Sequence, residues 1–338
     1  MTALPILGGF KILKDVVRIS IASPPEDKSF PSRFCGAIAK ERINLPYFTS
    51  VYNRNSWGMN LIVEAPDEER TVRLIEVTFG NIFKVSPRKA ILSLFPHKNN
   101  PAVTGTLFET LTEQGFAPEA LANSPSAVSV VLKEEFLHQA SDALFGPFNF
   151  SAYRTPSDWK LAQKGKEQLY KEVVASYQEK RPKVYGLNYR KSQTLLIVRL
   201  AISKIGSFGK ILKGLTSMAL DLSFLASSPP DHGEIRVFFC LPKSAEKFQD
   251  EILKTSDAGI YLEEVSSVAM FSMTGPHFGD RYGIASELLG TLNRSRIDLL
   301  AFTCTIASIR GIIPMHQIEH AIQAITGCFE VPAVTEKD

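Results

Sequence analysis

Val268-Ala-Met-Phe-Ser-Met273, Gly279-Asp-Arg-Tyr-Gly-Ile-Ala285, Leu288-Leu-Gly-Thr-Leu292 and Ile297-Asp298: these pieces, met in this order near the end of the chain, decide the fold. The first is a short apolar run of strand type. The second is a polar turn carrying two glycines. Ile284, Leu288, Leu289 and Leu292 then recur at helical spacing. A second apolar run spans Ile297 to Phe302, and Ser308 to Ile313 follows as another strand. Met315 to Ile325 closes the series with a second helix. The grammar is strand, helix, strand, strand, helix.

Reading outward, the same grammar occurs three more times, and repeats must be found before any other feature is interpreted. The third copy runs through Thr194–Ile202, Ser207–Met218, Leu220–Leu225, Ile235–Cys240 and Ala245–Leu253. The second runs through Ala90–Phe95, Ala102–Gln114, Phe116–Leu121, Ala127–Leu132 and Glu134–Leu144. The first runs through Val16–Ala22, Pro31–Glu41, Ile43–Val51, Met59–Glu64 and a helix from Pro66 to Phe79. Strands are read from β-branched and aromatic runs such as Leu196-Ile-Val-Arg-Leu200. Short extended leaders, Phe10–Asp15 and Val184–Tyr189, precede the first and third copies only, so the copies group as two tandem pairs. Between the pairs, Thr155-Pro-Ser-Asp158 reads as a helix start. The division expected is 1–87, 88–150, a linker helix in 151–183, 184–264 and 265–338. Each copy is small for an independent core, so the copies should bury surface against one another.

Composition narrows the function classes. The chain has 338 residues, 44% hydrophobic and 22% charged, with a formal net charge of +3. That is the balance of a folded soluble protein, and it supplies no electrostatic drive toward nucleic acid or an acidic membrane. Cys35, Cys240, Cys304 and Cys328 form no C-x-x-C pair and read as reduced thiols of a cytoplasmic protein. Met1–Asp15 lacks the order of a signal peptide, and Ile297–Pro314 is too short and too polar for a membrane span.

The recurring element resembles the ACT domain, and its pairing resembles the tandem ACT regulatory region of aspartate kinases. The segment Gly279–Ala285 with Ile297-Asp298 is similar to that family's turn, D-x-P-G-hydrophobic-A, followed by a helix and I-N or I-D; Tyr282 replaces the usual Pro. Ile205-Gly-Ser207 with Leu220-Asp221 looks like the same element. Asn100-Pro-Ala-Val103 keeps the Pro but has Ala102 for the Gly, and Ser29 stands at the Gly position of the first copy. The fold implied is α+β: four ferredoxin-like βαββαβ units, antiparallel sheets with helices on one face. The function implied is a non-catalytic amino-acid sensor, a regulatory region duplicated without its kinase, since no kinase motif is found. It implies no cofactor.

In such a site a helix N-terminus receives the ligand carboxylate, and a glycine in the turn permits close approach. The resemblance assigns that work to Gly279, Asp280, Arg281, Tyr282, Gly283 and Ile284, and to Lys204, Ile205, Gly206 and Ser207. Asp280 meets the ammonium or simply caps the helix. The family places ligands between units packed side by side, with the turn of one facing the second strand of the other. Pairing the first unit with the third and the second with the fourth adds Thr49 and Ser50, and Ala122, Asn123 and Ser124. A regulated protein partner is expected, and either a pseudo-twofold monomer or a homodimer with joined sheet edges.

Other readings carry less. A structural or interaction scaffold whose turns have decayed is the main alternative. His316-Gln-Ile-Glu-His320 fits a metalloenzyme pattern, but Ile318, Ala321, Ile322 and Ile325 explain that helix by packing. RNA recognition by this fold needs aromatics on the central strands, and only Ile235-Arg-Val-Phe-Phe239 has them.

Overall fold

The structure of the chain, a computed structural model, describes residues 5–22, 27–96, 98–163, 182–245, 260–275, 282–305 and 308–337. The first half contains β1 (Ile6–Leu7), β2 (Gly9–Ala22), α1 (Phe30–Lys40), β3 (Tyr47–Asn53), β4 (Ser56–Glu64), α2 (Glu68–Phe79), β5 (Phe83–Phe95), α3 (Pro101–Glu113), β6 (Ala120–Asn123), β7 (Val128–Lys133), α4 (Leu137–Ala143) and β8 (Asn149–Phe150). The second contains α5 (Pro156–Gln163), β9 (Gly186–Ala201), α6 (Ile205–Ser217), β10 (Phe224–Ser227), β11 (Glu234–Pro242), β12 (Tyr261–Thr274), α7 (Ile284–Arg294), β13 (Ala301–Thr305), β14 (Ser308–Pro314), α8 (Ile318–Cys328) and β15 (Val334–Glu336). The class is mixed α+β, with one large sheet and eight described helices.

That sheet has 13 strands in the order β11-β10-β6-β7-β5-β2-β4-β3-β13-β14-β12-β9-β15, and β11 also pairs with β9. The second pairing closes the sheet into a ring, with β15 outside it. Closure removes exposed edges, which otherwise invite aggregation. Residues alternate across each strand. One set, including Leu61, Phe48, Phe302 and Ile313, packs with α1, α7 and α8. Leu92, Val130, Leu225 and Phe239 pack with α3 and α6. The opposite set, including Val51, Ala226, Phe238, Met270 and Ala301, fills the space inside the ring.

Four strands are longer than the sequence pattern indicates. The leader Phe10–Asp15 is continuous with Val16–Ala22, and the leader ahead of Thr194 joins it from Gly186 onward. β2 pairs with β5, and β9 with β12, along their lengths, with register shifts in the middle. At those shifts Asp15, Arg88, Ser192 and Ser267 have φ of 54°, 54°, 52° and 59°. Each is a bulge that bends the strand, so that its two halves serve different parts of the ring.

α5 starts as expected: Thr155 Oγ1 accepts from Asp158 N, and Asp158 Oδ2 accepts from Thr155 N. This is reciprocal capping. The rest of that expected helix, and the second helix of the third copy beyond Ala245, lie outside the described residues. Among the described residues no helix is long and apolar enough to cross a membrane.

Candidate ligand cleft between α1 and α7

The helix that opened the sequence argument begins as its residues require. Gly283 caps α7 with φ +90°, a left-handed conformation that costs glycine little and an L side chain more. Ile284, Leu288, Leu289 and Leu292 are buried along one face. α1 carries Pro31 in its first turn and buries Phe30, Phe34, Cys35 and Ile38. Both helices cover a continuous sheet, because β3 joins β13 through Ala301↔Val51, Phe302↔Ser50, Thr303↔Thr49 and Cys304↔Phe48.

Where α7 begins, the two helices leave a cleft. It is lined by Cys35, Ile38 and Ala39 of α1, by Ile43 and Leu45 beyond it, by Tyr282 to Ser286, and by Cys304 of β13. Its free space is about 20 Å³, enough for a water and too little for an amino acid as it stands. Burial pushes the Cys304 thiol up to about 12 and raises that of Cys35 further, with Cys304 nearby adding to the rise. Both thiols are therefore neutral at ordinary pH. The related corner, at the start of α1, is bridged instead. Lys28 Nζ lies 2.8 Å from Asp298 Oδ1, and Arg33 holds Asp27 at 3.0 Å. Hydrogen bonding to Asp298 raises the Lys28 ammonium.

The other helix pair is closed. α3 and α6 cross where Gly105 meets Gly209, and a Cβ on Gly105 would fall on the Gly209 carbonyl. A Cβ on Gly206 would lie 2.9 Å from Cβ of Thr112.

These positions revise several expectations. Gly206 is not a turn glycine: Ile205, Gly206 and Ser207 open α6, just after Lys204 in a short 3-10 turn, and Gly206 permits helix contact. The side-by-side pairing is also different. The first copy continues into the fourth through β3 and β13, and the second into the third through β6 and β10. Tyr282, Gly283 and Ile284 thus face Cys35 and Ala39 rather than Ala122, Asn123 and Ser124. Ala122 and Asn123, with Thr49 and Ser50, are buried in the sheet, and Ser124 is buried just beyond the end of β6. The expected contacts across the ring do exist: Thr49 Oγ1 donates to Ser227 O, and Arg310 Nη1 donates to Asn123 Oδ1. They are sheet-to-sheet bonds, and Arg310 also donates to Asn99, just ahead of the Asn100 cap of α3. Gly279, Asp280 and Arg281 lie outside the described residues.

Sequence reading missed Cys35, Ile38, Ala39, Ile43, Leu45 and Cys304. The usable signal was the small-residue run Cys35-Gly-Ala-Ile-Ala39, which lets another chain segment approach α1 closely. Inside the ring lies a polar row that hydropathy alone does not reveal. Ser20, Asn60, Thr49, Thr303, Arg310 and Ser272 are successive cross-strand partners. Arg310 is 1% exposed and donates to Asn123, to the Ser223 carbonyl and to Asn99. Burial, with Arg190 nearby, pulls its guanidinium down to about 9, still protonated at neutral pH. Arg18 and Lys89 share Glu119 at 3.1 and 2.6 Å. Among the described residues no cluster of metal-ligating side chains forms.

No family model matches the chain, and no curated protein matches it by sequence. Its fold is found in solved structures. Aspartate kinase from Synechocystis matches 96% of this chain at 14% identity, with a TM-score of 0.77. The chain spans 56% of that enzyme's length. The regulatory subunits of aspartate kinase from Thermus thermophilus and Thermus flavus align with 42% and 41% of this chain at 18% identity, with TM-scores of 0.39 and 0.38. Those two overlaps are too partial to argue from. An aspartate kinase is thus a structural neighbour over nearly the whole chain. One expectation is overturned here. The chain was read as a regulatory region and no enzyme, yet its match to an aspartate kinase extends over 96% of its length. At this identity the likeness is one of fold, and it is to an enzyme.

Proposed function

We propose that this chain is an amino-acid-responsive regulatory protein built from four ACT-like βαββαβ units in two tandem pairs. The ligand binds between the first and fourth units, at the start of α7, and shifts the packing of α1 against α7. A regulated protein partner reads that shift, since a ligand moves an equilibrium only by its differential affinity for the two states. The observation that carries the reading is Gly283: a left-handed glycine at the head of a helix, on the rim of a cleft between two packed units. The first free N–H groups of α7 suit a carboxylate. Four free cysteines favour a cytoplasmic setting. The closed sheet takes away the free edges that the edge-joined homodimer needs, so the pseudo-twofold monomer is the form proposed.

A scaffold role is favoured at one place only, the α3/α6 contact, where Gly105 and Gly209 leave no room for a ligand. The test is a thermal-shift screen of the full chain against the twenty amino acids, because a ligand that binds only the folded state raises the melting temperature. The expected result is a rise with one chemical group of amino acids, weakened by Gly283→Ala and unchanged by Lys204→Ala. No rise at millimolar concentration with any amino acid refutes the proposal.

A further inference from the structure

The lining of the α1/α7 cleft has a consistent chemistry. Ile38, Ala39, Ile43, Leu45, Ile284 and Ala285 are hydrocarbon, Cys35 and Cys304 carry thiols, and Tyr282 and Ser286 carry neutral hydroxyls. Among the described lining residues there is no carboxylate, ammonium or guanidinium. The thiols are held neutral by burial. The ionised side chains at the related corner, Lys28 and Asp298, are engaged with each other at 2.8 Å.

Resting on the amino-acid-binding reading above, we propose that this cleft selects an amino acid with an uncharged aliphatic or thioether side chain and rejects lysine, arginine, aspartate and glutamate. A side-chain ammonium or carboxylate entering this lining would lose its hydration, and among the described lining residues none offers it an opposite charge. Hydrocarbon entering it gains with every methylene removed from water. The thioether belongs to the accepted class because sulfur packs well among apolar side chains. With only about 20 Å³ free, such a side chain parts α1 from α7 as it enters, and this couples side-chain size to the movement.

Norleucine and lysine make the sharpest pair, because lysine is the same straight chain ending in an ammonium. Calorimetric titration of the full chain should give affinities rising about fourfold per methylene from alanine through 2-aminobutyrate and norvaline to norleucine. Lysine should bind about a hundredfold more weakly than norleucine, or not at all. Ala39→Leu should abolish norleucine binding by filling the cleft. Should that variant fail to fold, a diazirine analogue of leucine photolysed on the unaltered protein should label residues 35–45 or 282–286.

Lysine or aspartate binding as tightly as norleucine, and lost in Ala39→Leu, overturns the specificity while leaving amino-acid binding intact. Label recovered only elsewhere overturns the site. Absence of binding by every amino acid overturns both this inference and the reading beneath it.

Discussion

The two helix-covered interfaces of this ring solve the same packing problem in opposite ways. Between β3 and β13 the strands zip together over four register pairs, and the helices above them, α1 and α7, part to leave a cleft. Between β6 and β10 only Ala226 and Ala122 are in register, while α3 and α6 meet backbone to backbone at Gly105 and Gly209. The missing strand bonds are replaced by side chains. Asn123 accepts from Leu225 N and donates to Leu222 O, and Ser227 Oγ accepts from Leu121 N. Close strands go with parted helices, and close helices go with parted strands. An asparagine predicted to touch ligand bonds strand to strand, and the cleft falls at the other interface.

The largest expected effect tests the closed side. Gly105→Leu drives a side chain into the Gly209 backbone and should destabilise the protein by ~3 kcal/mol in denaturant unfolding. A smaller addition, a single methyl, on the open side should do the reverse. A Cβ on Gly36 of α1 would find only Ser286 Oγ, at 4.0 Å, so Gly36→Ala should leave stability unchanged or raise it by up to ~1 kcal/mol. Equal losses at both positions would break the comparison.

Asn123→Ala comes next. It removes three bonds at once, including one that helps satisfy the buried Arg310. A loss of about 2–3 kcal/mol is expected from the groups left unpaired. Loss of amino-acid binding with full stability retained would instead return Asn123 to the ligand site.

The alkaline limb of stability reports on the open side. Burial raises Cys304 from 9.0 to about 12, and raises Cys35 as well. A thiol raised in the folded state contributes stability in full below its unfolded value. That contribution is lost as pH rises from 9 toward 12, because the unfolded chain gives up the proton first. Each thiol steepens the loss by up to about 1.4 kcal/mol per pH unit. Denaturation midpoints of Cys304→Ala should therefore fall less between pH 9 and 11 than those of the unaltered protein. The smallest effect belongs to the bridged corner. Lys28→Ala removes an exposed ion pair and should cost no more than about 0.5 kcal/mol.

Much of this architecture was legible in the residues. Ile284, Leu288, Leu289 and Leu292 announce α7, and Gly283 announces its left-handed start. Thr155 and Asp158 announce α5. The continuous long strands were not legible, because their bulges fall on Asp15, Arg88, Ser192 and Ser267; only Arg88 has a proline beside it, Pro87, which reads as a strand boundary rather than a bulge inside one strand. Gly206 misled for a related reason: a turn glycine and a helix-crossing glycine look alike until Thr112 is seen across the contact. The choice of side-by-side partners is a long-range property. It depends on which strand ends meet, Thr303 with Thr49 or Ala226 with Ala122, and no local pattern encodes it.

The central claim is that an amino acid enters the α1/α7 cleft and not the α3/α6 contact. Hydrogen–deuterium exchange of the full chain, with and without saturating norleucine, tests it most directly. The account predicts altered exchange in 30–45 and 282–294, with 101–113 and 205–217 unchanged. Altered exchange confined to 101–113 and 205–217, or none anywhere at saturation, would contradict it.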